Sequence, residues 1–243
     1  MASCIPRPSL AEADIKAAVV RRLRAGGAIN ARAVIANEFA IGRSAVRADL
    51  AILGRHFIGI EIKSERDTLR RLGRQLEVYR RHFDKTIVVL AEKHSQSTAL
   101  PPLDGIEVWK IDRGGAISIV AEAEKRAPAS INALEALLTK SEHRRVRQLV
   151  ELATDKRCTE SAFRRAFGEV LRERFGATSE QFWAEVRGRK IVADDLAILS
   201  RFRARREQLL RWEEERAEEW KRWEEQALAL LPHGERASTP LAA

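Results

Sequence analysis

Between Arg47 and Lys63 the chain reads RADLAILGRHFIGIEIK, and no other stretch limits the fold as much. Two apolar runs of strand length flank Gly54-Arg55-His56, so the stretch is predicted to be a β-hairpin. Yet Asp49 lies in the first run, and Glu61 and Lys63 lie in the second. Residues two apart in a strand share a face. Glu61 and Lys63 therefore point one way, while Ile58, Ile60 and Ile62 point the other way into a core. A three-residue turn pairs Leu53 with Phe57 and sets Asp49 opposite Glu61, at cross-strand distance on one face. A two-residue turn sets Asp49 opposite Ile60 and splits the carboxylates between faces.

Two carboxylates side by side repel strongly where the dielectric is low, and a divalent cation removes that penalty. Two carboxylates, a backbone carbonyl and water make the hard-oxygen surroundings that Mg²⁺ prefers. A nearby lysine can orient or help deprotonate an attacking water and can offset charge on a phosphate. These parts suit metal-assisted phosphodiester hydrolysis. Glu-x-Lys alone is a weak signal, since Glu219-Trp220-Lys221 repeats it in what reads as a solvated helix. Its weight comes from the acid on the preceding strand and the basic helix that follows. The structural alternative is a salt-bridge cluster on a sheet face.

The flanks extend the hairpin into an α/β fold. SLAEADIKAAVVRRLRAGG opens with Ser9 and Glu12 at capping-box spacing and ends at Gly26-Gly27, which predicts a helix. AVIANEFAI and KTIVVLAE read as strands, and IEVWKI and AISIVAE read as a hairpin around Asp112-Arg113-Gly114-Gly115. From Arg66 to Phe83 the period is helical, with Leu69, Leu72, Leu76, Tyr79 and Phe83 on one stripe. Arg66, Arg70, Arg74 and Arg81 fall on the other face. The order α-β-β-β-α-β-(loop)-β-β predicts a mixed central sheet flanked by helices, followed by an all-α C-terminal region. Helices are expected at 130–139, 142–154, 159–175 and 179–187, with a longer one from about Asp194 to Leu231. The expected division is 1–127 for the α/β domain, 128–190 for a helical subdomain, 191–232 for the long helix and 233–243 for a disordered tail.

The net charge is +9, and its distribution narrows the partner. Residues 1–127 hold 22 Lys and Arg against 15 acids, whereas residues 128–243 hold 22 against 20. A positive field of this kind attracts polyanions, and nucleic acid is the commonest in a cell. The arginines after the motif are expected to contact DNA phosphates without reading sequence. The segment RRVRQLVELATDKRCTESAFRRAF raises a rival, a helix-turn-helix with Thr159 capping a recognition helix. Cys4 and Cys158 form no metal-ligand spacing. MASCIPRPSL is not patterned as a signal peptide, and no apolar run is long enough to span a bilayer, so a cytoplasmic protein with no membrane contact is expected.

The arrangement of Asp49, Glu61-Ile62-Lys63 and the basic helix resembles the PD-(D/E)XK nuclease superfamily. The wording RADLAIL…GIEIKSERDTLRRLGRQLEVYRRHFDKTIVVL is similar to an uncharacterised bacterial branch of it, over about residues 9–92. Ala48 stands where that family often has proline before the aspartate. The resemblance implies a restriction-endonuclease-like core and a Mg²⁺ or Mn²⁺ cofactor held by Asp49, Glu61 and the Ile62 carbonyl, with Lys63 positioning or activating water. It also implies a further acid, for which Glu38 and Glu12 compete, and a Gln-x-x-x-Tyr pair matched by Gln75 and Tyr79. Gln75 is expected near a water or phosphate, and Tyr79 is expected in the core. The function so implied is a metal-dependent deoxyribonuclease, with repair or defence as settings. The alternatives are a non-catalytic DNA-binding module or regulator on the same basic surface, and a homodimer or protein adaptor built on the C-terminal helices.

Overall fold

A computed structural model describes residues 10–42, 44–123, 127–153 and 159–200, with Arg216, Trp220, Arg222 and Trp223. The chain divides into two compact units, Met1–Arg201 and Phe202–Ala243. In the first unit, six strands form one sheet in chain order. Helix α1 (Glu12–Ala25) precedes β1 (Val34–Ala40), β2 (Arg47–Leu53) and β3 (Phe57–Lys63), and α2 (Leu72–His82) leads to β4 (Lys85–Ala91). A loop then returns the chain to β5 (Glu107–Ile111) and β6 (Ile117–Ala121). The pairs β1–β2, β2–β3 and β5–β6 are antiparallel, and β3–β4 and β4–β5 are parallel. The β5–β6 turn forms where expected, with the Asp112 carboxylate accepting the N–H groups of Gly114 and Ala116.

Alternation in the strands builds two cores. Ile35, Leu50, Ile52, Ile58, Ile60 and Ile62 pack under α1. Val34, Ala36, Ala51 and Phe57 face the other way, against Tyr79, Phe83 and helices α3 (Ile131–Glu135), α4 (Lys140–Ala153) and α5 (Glu160–Glu185). Fully burying one such aliphatic or aromatic side chain contributes about 1.5–3 kcal/mol, which is why this alternation fixes the faces.

Several helical boundaries differ from the expectation, among them that of α3, which ends at Glu135 and not at 139. The helix after β3 starts at Leu72, not Arg66. Asp67 accepts both the N–H and the hydroxyl of Ser64, and its own N–H returns to the Ser64 carbonyl, so a closed turn delays the helix. Helix α5 runs unbroken where two helices were expected. The Ser179 hydroxyl accepts the Ile35 N–H at 2.9 Å, and the Trp183 indole donates to the Ala33 carbonyl at 2.8 Å. The continuous helix thereby satisfies the free edge of β1. Ala193–Leu199 is a short 3₁₀ segment, with Leu196 and Leu199 buried in the α1 core, rather than the start of a long helix. Most of the remaining span of that helix, and the tail 233–243, lie outside the described residues. Ser9, the expected cap of the first helix, lies outside them too. Among the described residues no helix is long and apolar enough to cross a membrane.

Candidate active site

The β2–β3 turn sets the geometry. Leu53 pairs with Phe57, Ala51 with Gly59 and Leu50 with Ile60. This is the register of the three-residue turn, and its next step brings Asp49 opposite Glu61. The ladder stops one pair short of that step. There the Asp49 carboxylate accepts the Ile62 N–H at 2.6 Å, taking the place of a backbone partner. In an antiparallel ladder one residue's N–H and C=O face the same neighbour, so the Ile62 carbonyl also faces this gap.

Glu61 and Lys63 are buried on the α2 side, at 2% and 7% exposure, deeper than charged groups lie without partners. Lys63 Nζ donates to Glu61 Oε1 at 2.7 Å and to Gln75 Oε1 at 3.0 Å. The Tyr79 hydroxyl donates to Glu61 Oε2 at 2.6 Å. Gln75 and Tyr79, one helical turn apart on α2, thus hold the two charged residues of the motif in place. An ammonium has three donors, so one N–H of Lys63 is left for a ligand. Each Glu61 oxygen likewise keeps a lone pair. Tyr79 lies in the core as expected, but its hydroxyl also belongs to the site. Burial first, and then the charge of Glu61, holds that phenol well above its ordinary pKa, so it stays a donor.

On the α1 side lies a second cluster. Carboxylate oxygens of Glu12, Glu38 and Asp49 come within 4.8 Å of one another. Glu38 reaches them through a backbone irregularity, with φ of 57° in the left-handed region that side chains rarely adopt. The β1–β2 ladder skips the Glu38–Asp49 pair. Alternation changes phase there: Ile35 faces the α1 core, yet Phe39, four residues on, faces the α5 core. As a result Asn37 and Glu38, adjacent in sequence, both reach Lys16. Glu12 is free to join them because Asp14 takes the helix-start role, accepting the Ala11 N–H at 3.2 Å.

Asp49 links the two clusters. Burial first, and then the charge of Glu61, pushes its carboxyl up to about 8, against the opposing pull of the Ile62 N–H and Lys16. Lys16 shows the converse. Burial pulls its ammonium down, but its bonds to Glu12 and Glu38 prevail and raise it. The folded chain therefore holds a proton on Asp49 that the unfolded chain releases near 3.8. That stabilisation is complete below about 3.8 and disappears as pH rises through about 8. In EDTA, Asp49→Asn is expected to be more stable than wild type at pH 9, by at least about 1.4 kcal/mol, the worth of one pKa unit. The gain should shrink toward pH 4 in urea titrations. A gain of the same size at every pH would show that the Asp49 charge is not the cause.

The donor set fits a hard divalent cation. Asp49, Glu61 and the Ile62 carbonyl offer oxygen only, around a gap where negative charge is poorly compensated. Gly73-Arg74 and Arg80-Arg81 lie on α2, while Arg66 and Arg70 belong to the loop before it. Arg66, Arg70, Arg74 and Arg81 are all exposed, and none forms an ion pair among the described residues. Arg164, within the segment of the helix-turn-helix rival, is tied to Asp84 and to the Ala129 carbonyl. Thr159 does cap α5, accepting the Ala162 N–H at 3.2 Å, but Phe163, Ala166, Phe167 and Val170 of that helix are buried in the core.

Sequence reasoning missed Lys16 and His94. Lys16 is the one charge in the apolar run Ile15–Val20, four residues after Glu12, and that was its signal. His94 has no sequence signal; it is buried 2.9 Å from the Ser64 carbonyl and braces the turn that follows Lys63. Compared with known proteins, residues 6–200 match the family described as Bacteriophage P4 protein cII. The curated protein cII of Enterobacteria phage P4 is 26% identical over 221 residues, covering 84% of this chain and 83% of that protein. Among solved structures, the SPO1766 protein of unknown function from Silicibacter pomeroyi is 21% identical with a TM-score of 0.39, covering 60% of this chain and 94% of that one.

Proposed function

The chain belongs to the Bacteriophage P4 protein cII family, a name that states no chemistry, so its chemistry rests on the site, and we propose that it is a metal-dependent nuclease acting on DNA. One observation carries the reading. The buried Glu61–Lys63 pair faces a gap that also receives Asp49 and the Ile62 main chain, with Gln75 and Tyr79 fixing both charges. Bound there, Mg²⁺ or Mn²⁺ would stabilise charge on the phosphate and acidify water. Asp49, Glu61 and the Ile62 carbonyl would hold the ion. The free N–H of Lys63 would hold the attacking water in line with the P–O bond that breaks, or would bind a non-bridging oxygen of the phosphate. Tyr79 would keep Glu61 oriented without giving up its proton.

The exposed arginines would hold the DNA backbone. Replacing Arg74 and Arg81 with Gln is expected to weaken binding to all DNA sequences alike. It should also lower the slope of log affinity against log salt by about 0.9 for each phosphate that is no longer neutralised. A sequence-dependent loss would point to base recognition instead.

The second reading, a non-catalytic DNA-binding module, draws on the same exposed arginines. Asp49→Asn separates the two. A nuclease loses cleavage with DNA binding retained; a binding module cuts nothing in either form. A role in repair or defence rests on the superfamily resemblance alone.

A further inference from the structure

Lys16 is an unusual residue to find at 4% exposure on α1. Its three N–H groups meet three oxygens: Glu38 Oε1 at 2.5 Å, Glu12 Oε1 at 2.7 Å and Asn37 Oδ1 at 2.9 Å. An ammonium has three donors, so Lys16 has none left for a phosphate or a water. It sits against the carboxylates whose oxygens converge within 4.8 Å on Asp49. Paired divalent ions in phosphodiester-cleaving sites lie about 3.5–4 Å apart, so an ion on Asp49 and Glu12 would be a near neighbour of one on Asp49 and Glu61. The left-handed backbone at Glu38 is kept although such a conformation costs about 1–3 kcal/mol. What it accomplishes here is to bring both Asn37 and Glu38 onto Lys16.

We propose that Lys16 is a built-in cation that occupies the place of a second divalent ion, so that this chain works with one metal ion. The inference rests on the metal-dependent reading above. Lys16 acts through Glu12 and Glu38, neutralising them and withholding them from metal. It is therefore a positioning residue, and it limits the site to the ion held by Asp49, Glu61 and the Ile62 carbonyl. Glu38 and Glu12, the candidates for the further acid, then serve as ligands of the lysine.

Counting bound Mn²⁺ on the full-length protein tests this, by calorimetry and by the electron paramagnetic resonance signal of free Mn²⁺, without DNA. Wild type is expected to bind one Mn²⁺ at the site and Lys16→Met to bind two, because removing the ammonium leaves Glu12 and Glu38 uncompensated. Two ions on wild type would overturn the inference and leave the metal site standing. One ion on both proteins would also overturn it. No ion on wild type would overturn the metal reading beneath it. If Lys16→Met does not fold, Glu12→Gln decides. Its Mn²⁺ stoichiometry and affinity should equal those of wild type, and a loss of about 10-fold or more, the scale expected of a group that supports a metal, would make Glu12 part of the metal site and overturn the inference.

Discussion

Lys63→Met is expected to reduce metal-dependent DNA cleavage by about 10²–10³-fold, the scale of removing one fixed donor at a developing charge, while leaving DNA affinity unchanged. The reason lies in how Lys63 is held. Glu61 and Gln75 take two of its N–H groups, so the third is aimed by the fold and needs no reorganisation. Methionine fills a similar volume but offers no donor. The substitution also leaves Glu61 buried at 2% exposure with the Tyr79 hydroxyl as its remaining hydrogen-bond donor. Breaking a buried pair from one side costs about 3–5 kcal/mol. Lys63→Met should therefore be less stable in EDTA, and Mg²⁺ should raise its melting temperature more than it raises that of wild type. Retained cleavage would remove Lys63 from the chemistry. A stability loss that Mg²⁺ does not repair would indicate that the ion does not reach Glu61.

A loss of stability that does not pass through the charged pair is expected at Gly59, two residues before Glu61. On β3 it faces the Phe83 ring so closely that a Cβ would fall within 3.0 Å of three ring carbons. The ring has no room to retreat. Its centroid is 4.7 Å from that of Phe57, 5.3 Å from Tyr79 and 6.3 Å from Phe39. Gly59→Ala forces either the ring or the strand to move, and overpacking of this kind costs about 1–3 kcal/mol or more. Urea denaturation should show a lower midpoint, and cleavage should fall at least in proportion to the folded fraction. A variant as stable as wild type would mean that Phe83 does not pack across β3.

How much of the molecule was legible in its sequence follows from which interactions are local. The register that sets Asp49 opposite Glu61 depends only on turn length; the sequence left a two-residue and a three-residue turn open, and the structure takes the three residues Gly54-Arg55-His56. The split of Ile58, Ile60 and Ile62 from Glu61 and Lys63 depends on strand period alone. Gln75 and Tyr79 could be placed beside the motif because α2 follows it directly, although the Tyr79–Glu61 bond needed the tertiary packing. Lys16 was legible only as a charge in an apolar run, four residues after its partner Glu12. Its other two partners come from 21 and 22 residues away, and one of them reaches it through a left-handed residue that breaks strand alternation. The start of α2 differs from the expected one because the hydrophobic stripe extends to Leu69, while the Ser64–Asp67 turn, a side-chain interaction, decides where the helix begins. The continuity of α5 across Ser179 is a tertiary effect as well, since it is the edge of β1 that this side chain and Trp183 satisfy.

The most direct measurement is cleavage of labelled duplex, branched and single-stranded DNA by wild type and Glu61→Ala, each with Mg²⁺, with Mn²⁺ and with EDTA. Cutting of at least one substrate that requires the metal and is abolished in Glu61→Ala is the expected result. No cutting of any substrate by wild type, or cutting that Glu61→Ala retains, would contradict the assignment of a metal-dependent nuclease site to Asp49, Glu61 and Lys63.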